Sequence, residues 1–467
     1  MTGQRLDHAP ASNPLSTPLQ PEQAQDVFFA RPAPVALPLM VRAEGVWLWD
    51  DAGNRYMDMS SGPVVSNLGH GNTRIADAMA EQARTLDFAY SRVARHLPNM
   101  ELSARLSALA GPGYERVCLA SGGSEAMEIA LKFLRQHALA FGKPEKRRFI
   151  TLDPSYHGGT ISTLAISGDP SLDAFVEGFA IASEKVPAPF QYRVPAGHDA
   201  QSWRMACADA LEERILELGP ETILAFVIEP VGGLATGALV MPPDYMARVH
   251  AICAAHGIAV IHDEVLCGAG RTGHFLAGHA NPAARADLVV LAKGLGAGYA
   301  PLGAMLAPAA MVDALAARTG FNFSHTYNAN PISCAVGLAV LDEYDRLGVI
   351  EGVAARGARV RAGLERLATR HACIGDIRGA GLLLAVELVA DRASRQPYPA
   401  HVLPTELIRQ CGLDNELVIY SRRTAGGRHG DWFMVSPPLT ISEAEIDMLI
   451  DRLDRTLERF SHMAGGE

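Results

Sequence analysis

Between about residue 70 and residue 330 the chain alternates short apolar runs with longer helical patterns. The runs cover 117–120, 149–152, 225–228, 258–261, 288–292 and 303–307. They are too short for buried helices, and helical periodicity lies between them, as over 127–141 and over 245–256 after a turn-forming Met-Pro-Pro. A repeated strand–helix succession of this kind predicts a mostly parallel sheet with helices on both faces.

After about residue 335 the pattern changes. Helices are expected over 334–346 and 351–370, and strands over 381–388, 417–420 and 432–435. A final helix over 443–460 opens with Ser442 and Glu445, the spacing of a capping box. This part reads as a smaller α+β lobe. Residues 47–59, with a turn at Asp50-Asp51-Ala52-Gly53, read as a hairpin joining that lobe from the other end of the chain. The expected division is a flexible arm over 1–25, an N-terminal part of the small domain over 26–69, a large domain over 70–333 and a C-terminal small domain over 334–467. With 467 residues, two lobes with sizeable cores are affordable.

The net charge of −10 argues against nucleic acid or an anionic membrane as partner. Seven scattered cysteines, without a C-x-x-C pair, read as small buried hydrophobes in a reducing compartment. No apolar stretch approaches the roughly 20 residues of a membrane span. The first residues carry no apolar signal core. The expected location is cytoplasmic.

The runs end in chemistry. Ser121-Gly122-Gly123-Ser124 follows the first, Tyr156-His157-Gly158 lies beyond the second, Glu229-Pro230 follows the third, Asp263-Glu264 the fourth and Lys293-Gly294 the fifth. In open α/β sheets ligands bind outside the carboxyl ends of the strands. A lysine and an aspartate on neighbouring strand ends is the pair that pyridoxal phosphate requires. The lysine holds its aldehyde as a Schiff base and the aspartate keeps the pyridine nitrogen protonated. Taken singly, the lysine also fits a solvated strand end, and Asp-Glu a metal or ribose ligand. Ser121–Ser124 opens a helix and suits a phosphate cradle, but also a plain turn and N-cap; no Gly-Lys-Ser/Thr follows, so it is not a Walker loop. Tyr156 and His157 offer an aromatic face for a flat ring, or a structural hydrogen-bonded pair.

Together these pieces resemble the class III (ω-type) aminotransferases of the fold-type I pyridoxal-phosphate enzymes. The resemblance covers about residues 25–460. It is carried by SGGSEA (121–126), SYHG (155–158), IEPVGG (228–233), HDEVLCGAGRTG (262–273), LAKGLGAGYAPLGA (291–304), SHTYNANP (324–331) and GDWFMVSPPL (430–439). It implies a seven-stranded, mostly parallel sheet in the large domain. It implies that Lys293 carries the cofactor and moves the proton, that Asp263 pairs with the pyridinium nitrogen, and that Val265 and Tyr156 cover the two ring faces. Gly123 and Ser124 would hold the phosphate. Thr326 would reach the phosphate of a neighbouring subunit's cofactor, making the protein a homodimer or tetramer with shared sites. Glu229 would sit near the cofactor's O3′ and the substrate. Amine and keto-acid substrates are implied, with pyruvate or 2-oxoglutarate as acceptor; no metal is.

Family members often bind a substrate carboxylate with a mobile arginine. Here YSRRTAGGRHGDW offers Arg422, Arg423 and Arg428, and Arg428 is the expected one because it lies closest to the Gly-Asp leading into the last strand. Trp432 stands where a histidine is often found. Val64 is expected to line the substrate pocket and to leave room for a long or bulky chain. Amino-acid racemases and aminomutases share the same cofactor residues, and a non-catalytic binding relative is the reading from another class. The intact Lys293, Asp263 and Glu229 argue against the latter.

Overall fold

The structure is a computed structural model that describes residues 37–178 and 181–465. The expected arm over 1–25 lies outside the described residues. Three strands open the described chain: β1 (Met40–Glu44), β2 (Trp47–Asp50) and β3 (Arg55–Asp58). The central sheet contains β4 (Arg116–Ala120), β5 (Arg148–Asp153), β6 (Ser183–Pro187), β7 (Ile223–Ile228), β8 (Ala259–Asp263), β9 (Leu288–Leu291) and β10 (Gly303–Ala307). Their order is β4-β10-β9-β8-β7-β5-β6. β10 runs antiparallel to both neighbours, and the other pairings are parallel.

β7, Ile-Leu-Ala-Phe-Val-Ile, is buried throughout, as a central parallel strand must be. Its side chains alternate between two cores. Phe226 and Ile228 join Val260, Val289 and Leu291 on one face, and Ala225 and Val227 join Ile261, Leu288 and Val290 on the other. β6 has no apolar run because it is an edge strand, and an edge tolerates Ser, Glu, Lys and a terminal Pro187.

The C-terminal strands are β11 (Ile374–Ala380), β12 (Leu383–Leu388), β13 (Leu417–Val418), β14 (Ser421–Arg423) and β15 (Asp431–Val435). β11, β12, β15 and β14 form an antiparallel sheet in that order. β13 pairs parallel with β3, so the N-terminal hairpin does join the C-terminal region. The strand expected over 417–420 is split between the two sheets. The Tyr420 N–H donates to Ser60 Oγ at 3.0 Å and its carbonyl accepts from Met434 at 2.8 Å, which turns the chain from one sheet to the other. β11, absent from the sequence expectation, reads Ile-Gly-Asp-Ile-Arg-Gly-Ala and lacks a clean alternation.

The helix Gly123–Ala140 starts four residues before the apolar pattern does, because its first turn is polar. Pro331–Leu347 begins with Pro331 after the side-chain N-cap Asn330. Glu443–Ala464 forms the expected capping box. Arg271 is fully buried between the sheets and donates to the carbonyls of Leu382, Ser436 and Pro437 and to Asn67 Oδ1. Among the described residues no helix is long and apolar enough to cross a membrane.

Candidate active site

A cavity of about 280 Å³ opens at the carboxyl edge of the central sheet. Ser121–Ser124 reach it from β4, Tyr156 and His157 from β5, Glu229 from β7, Asp263 from β8 and Lys293 from β9. Pro301 and Leu302 reach it from the start of the antiparallel β10. The parallel arrangement therefore gathers five separate strand endings into one site.

Asp263 is buried and held on both carboxylate oxygens. Oδ2 lies 2.8 Å from His157 Nδ1, and Oδ1 accepts the Val265 N–H at 3.1 Å. A carboxylate only accepts, so Nδ1 is the imidazole's protonated nitrogen. His157 is itself fixed by its backbone N–H, which donates to Ser167 Oγ at 2.9 Å. Asp263 thus has a defined orientation at the cavity wall, suited to pairing with a protonated ring nitrogen.

Lys293 sits at φ 45°, a left-handed conformation that non-glycine residues rarely adopt outside special sites. Burial pushes its ammonium below the ordinary lysine value, while Asp263 and Glu229 push back. The direction favours a neutral, nucleophilic amine. Glu229 is buried, and burial pushes its carboxyl up to about 7, aided by Asp263 and opposed by His157 and by backbone N–H donors. Gly233 is one such donor, 2.7 Å from Glu229 Oε1.

The phosphate end is equally specific. A Cβ on Gly123 would lie 2.8 Å and 3.1 Å from the two methyls of Val265. Only glycine lets the first turn of the helix approach the cavity this closely. Gly122 caps that helix without a side-chain hydrogen bond, so its first amides face the cavity end free. Ser124 Oγ accepts the Gly159 N–H at 2.9 Å, and Ser121 Oγ is buried without a hydrogen-bond partner among the described residues. Gly158, at φ 136°, closes on Ser124 Oγ so that a Cβ would stand 2.8 Å away. These residues fit a phosphate, and with Lys293 and Asp263 they fit pyridoxal phosphate.

The structure does not bring Arg428 to the cavity. It is exposed, and its nearest carboxylate is Asp153 at 3.6 Å. Arg423 is turned away and holds the buried Asp431 through both carboxylate oxygens. Arg422 stands beside Tyr156, its guanidinium carbon 5.8 Å from the ring centre, and donates to Asp169 Oδ2 at 2.8 Å. Alternation along β14 sends Arg422 and Arg423 to opposite faces. Nearness in sequence to Gly430-Asp431 was the wrong guide, because the turn at Ala425–Gly427 swings Arg428 outward.

Val64 is buried, at φ 61°, in an apolar cluster with Leu234, Leu266 and Trp432. Val65, not Val64, lines the cavity, and Val64 supports the wall from behind. Thr326 is exposed and does not line the cavity of its own chain. The wall residues Leu234, Leu266, Pro301 and Leu302, and the anchor Asp169, were not singled out from sequence. Apolar wall positions carry no signature distinct from core, and Asp169 reads as the N-cap it also is.

The chain belongs to the class III aminotransferases: the family model described as Aminotransferase class-III matches residues 28–457. A probable aminotransferase of Mycobacterium tuberculosis is 35% identical, over 91% of this chain and 90% of that protein. The taurine–pyruvate aminotransferase of Rhodobacter capsulatus is 33% identical, over 91% and 92%. Among solved structures, the ω-transaminase of Pseudomonas jessenii in complex with PMP superposes with a TM-score of 0.86 at 31% identity, covering 92% of this chain and 94% of that one.

Proposed function

We propose that this protein moves an amino group from an amine or ω-amino acid to a keto acid, pyruvate or 2-oxoglutarate, by a ping-pong cycle that uses pyridoxal phosphate. The observation that carries it is the convergence of Lys293, the His157-held Asp263 and a glycine-lined phosphate cradle on one cavity.

Pyridoxal phosphate, when bound, supplies an aldehyde to link to amines and a protonated ring that accepts the electrons of a broken Cα–H bond. Gly123, Ser124 and the free amides of the helix start would hold its phosphate. Asp263, aimed by His157, would pair with the protonated ring nitrogen, with Val265 and Tyr156 on its two faces. Lys293 is the attachment point. Its neutral amine would be the base that takes and holds the proton from the substrate's Cα. Apolar walls from Leu234, Leu266 and Leu302 restrict water around this transfer.

Arg422 is the carboxylate-binding arginine in this proposal. Parked on Asp169 beside Tyr156, it is within a side-chain swing of the cavity mouth, and Arg428 stays at the surface. Residues 70–333 would form the cofactor-binding domain, with 26–69 and 334–467 as the small domain. The exposed Thr326, with no role in its own cavity, suits a homodimer in which it serves the partner's site. The unpaired cysteines suit the cytoplasm.

The test is a half-reaction followed by absorbance. Protein loaded with pyridoxal phosphate is mixed with a panel of amines and no keto acid. Loss of the visible imine band, with release of an aldehyde or ketone, is the expected result. Racemisation of an amino acid with the band unchanged would replace transamination by isomerisation.

A further inference from the structure

The cavity wall is held from outside by the C-terminal sheet. After β7 the chain makes a tight turn over 231–240, closed by the Val231–Val240 bridge and by the Gly232 N–H donating to the Leu239 carbonyl at 2.7 Å. This turn supplies Gly233 and Leu234 to the cavity, and Gly233 supplies the N–H that Glu229 accepts. Its outer side rests on two residues of the other sheet. The indole N–H of the fully buried Trp432, on β15, donates to the Leu234 carbonyl at 3.1 Å. Arg378, on β11, donates to the Gly237 carbonyl at 2.7 Å and to the Thr236 carbonyl at 3.1 Å, with its guanidinium 5.3 Å from the indole.

The fit is close. Gly237 has φ 60°, and a Cβ there would lie 2.7 Å from both Arg378 and Trp432. Arg378 is in turn fixed by Glu387 at 2.6 Å and Asp376 at 3.0 Å. Glu387, fully buried, takes a second arginine, Arg193, at 2.7 Å. The line of contacts runs from Arg193 through Glu387 and Arg378 to the turn, and from the turn to Leu234 and Glu229.

The geometry points to Trp432 and Arg378 as positioning residues that set substrate selectivity by clamping the 231–240 turn. Neither lines the cavity. Both fix the backbone that carries Leu234, the wall an amine side chain meets, and Gly233, the donor to Glu229. Displacing a wall by a fraction of an ångström changes which side chains fit without removing any reacting group. The inference rests on an amine occupying the cavity, as proposed above.

The test uses the cofactor-loaded protein with Trp432→Phe, which keeps an aromatic ring and loses the N–H, and Arg378→Lys, which keeps the charge and loses the paired donors. Hydrogen exchange of peptides over 231–240 is measured without substrate, and kcat and KM are measured for one short linear and one branched amine. Faster exchange of the turn is expected in both variants. The branched-to-short ratio of kcat/KM should shift by about tenfold, mainly through KM. Unchanged exchange in both variants overturns the clamp. Faster exchange with an unchanged amine ratio reduces the pair to structural support and overturns the selectivity role. If the wild type discharges no amine, it is the proposed function that fails, while the exchange data still report on the clamp. Arg378→Lys alone decides if Trp432→Phe does not fold.

Discussion

His157 Nδ1 lies 2.8 Å from Asp263 Oδ2, and both side chains are buried. The pair fixes the carboxylate proposed to face the cofactor's ring nitrogen, and in that proposal the imidazole is a positioning group. His157→Phe should lower turnover by about 100-fold while leaving the fold intact, since it strips an orienting partner from a buried functional group. His157→Asn, whose amide can still donate, should lose less. Steady-state kcat for the two variants checks the order.

Glu229 supplies a pH signature. Its folded carboxyl titrates near 7, above its ordinary 4.5. The folded state therefore binds more protons across that window, and stability falls as pH rises from 4.5 to 7 and then levels. Glu229→Gln keeps an acceptor for the Gly233 N–H and removes the titration. Melting temperature against pH should fall less steeply in the variant. The slope should not vanish, because burial also raises Glu264 to about 7.

The arginine assignment is open to a direct comparison. Arg422→Ala should weaken use of carboxylate-bearing substrates by 10- to 100-fold in kcat/KM, the range of a lost charge-assisted hydrogen bond of about 1.5–3 kcal/mol. Amines without a carboxylate should be affected far less. Arg428→Ala should leave both substrate classes near wild type. The reverse pattern would restore Arg428.

Gly123 is constrained by a single neighbour. Gly123→Ala places a methyl 2.8 Å from Val265 Cγ1 and should cost about 1–3 kcal/mol of stability, with weaker cofactor retention. Adding Val265→Ala should recover part of the stability if that contact is the cause. Thermal melts of the single and double variants read this coupling.

Much of this was legible in the sequence for physical reasons. Buried parallel strands such as β7 and β9 must be apolar throughout, so they stood out, and the residues just after them mark the sheet's functional edge. The convergence of Lys293, Asp263, Glu229 and Ser121–Ser124 on one cavity was legible that way. Edge strand β6 and the polar β11 were not, because half-solvated strands need no apolar run. Arg422 and Arg428 could not be ranked by position, since a two-residue alternation and one turn decide which of them faces the cavity. Trp432 and Arg378 act through a turn about 140 to 200 residues distant in sequence, a relationship only the packed structure displays.

The most direct test of the central claim is to locate the cofactor link. The chain has five lysines, at positions 132, 143, 146, 185 and 293, so peptide mapping separates them cleanly. Protein incubated with pyridoxal phosphate is reduced with borohydride, digested and analysed by mass spectrometry. The account predicts the modification on the peptide bearing Lys293, and its absence in Lys293→Ala. Modification confined to another lysine, or none at all, would contradict it.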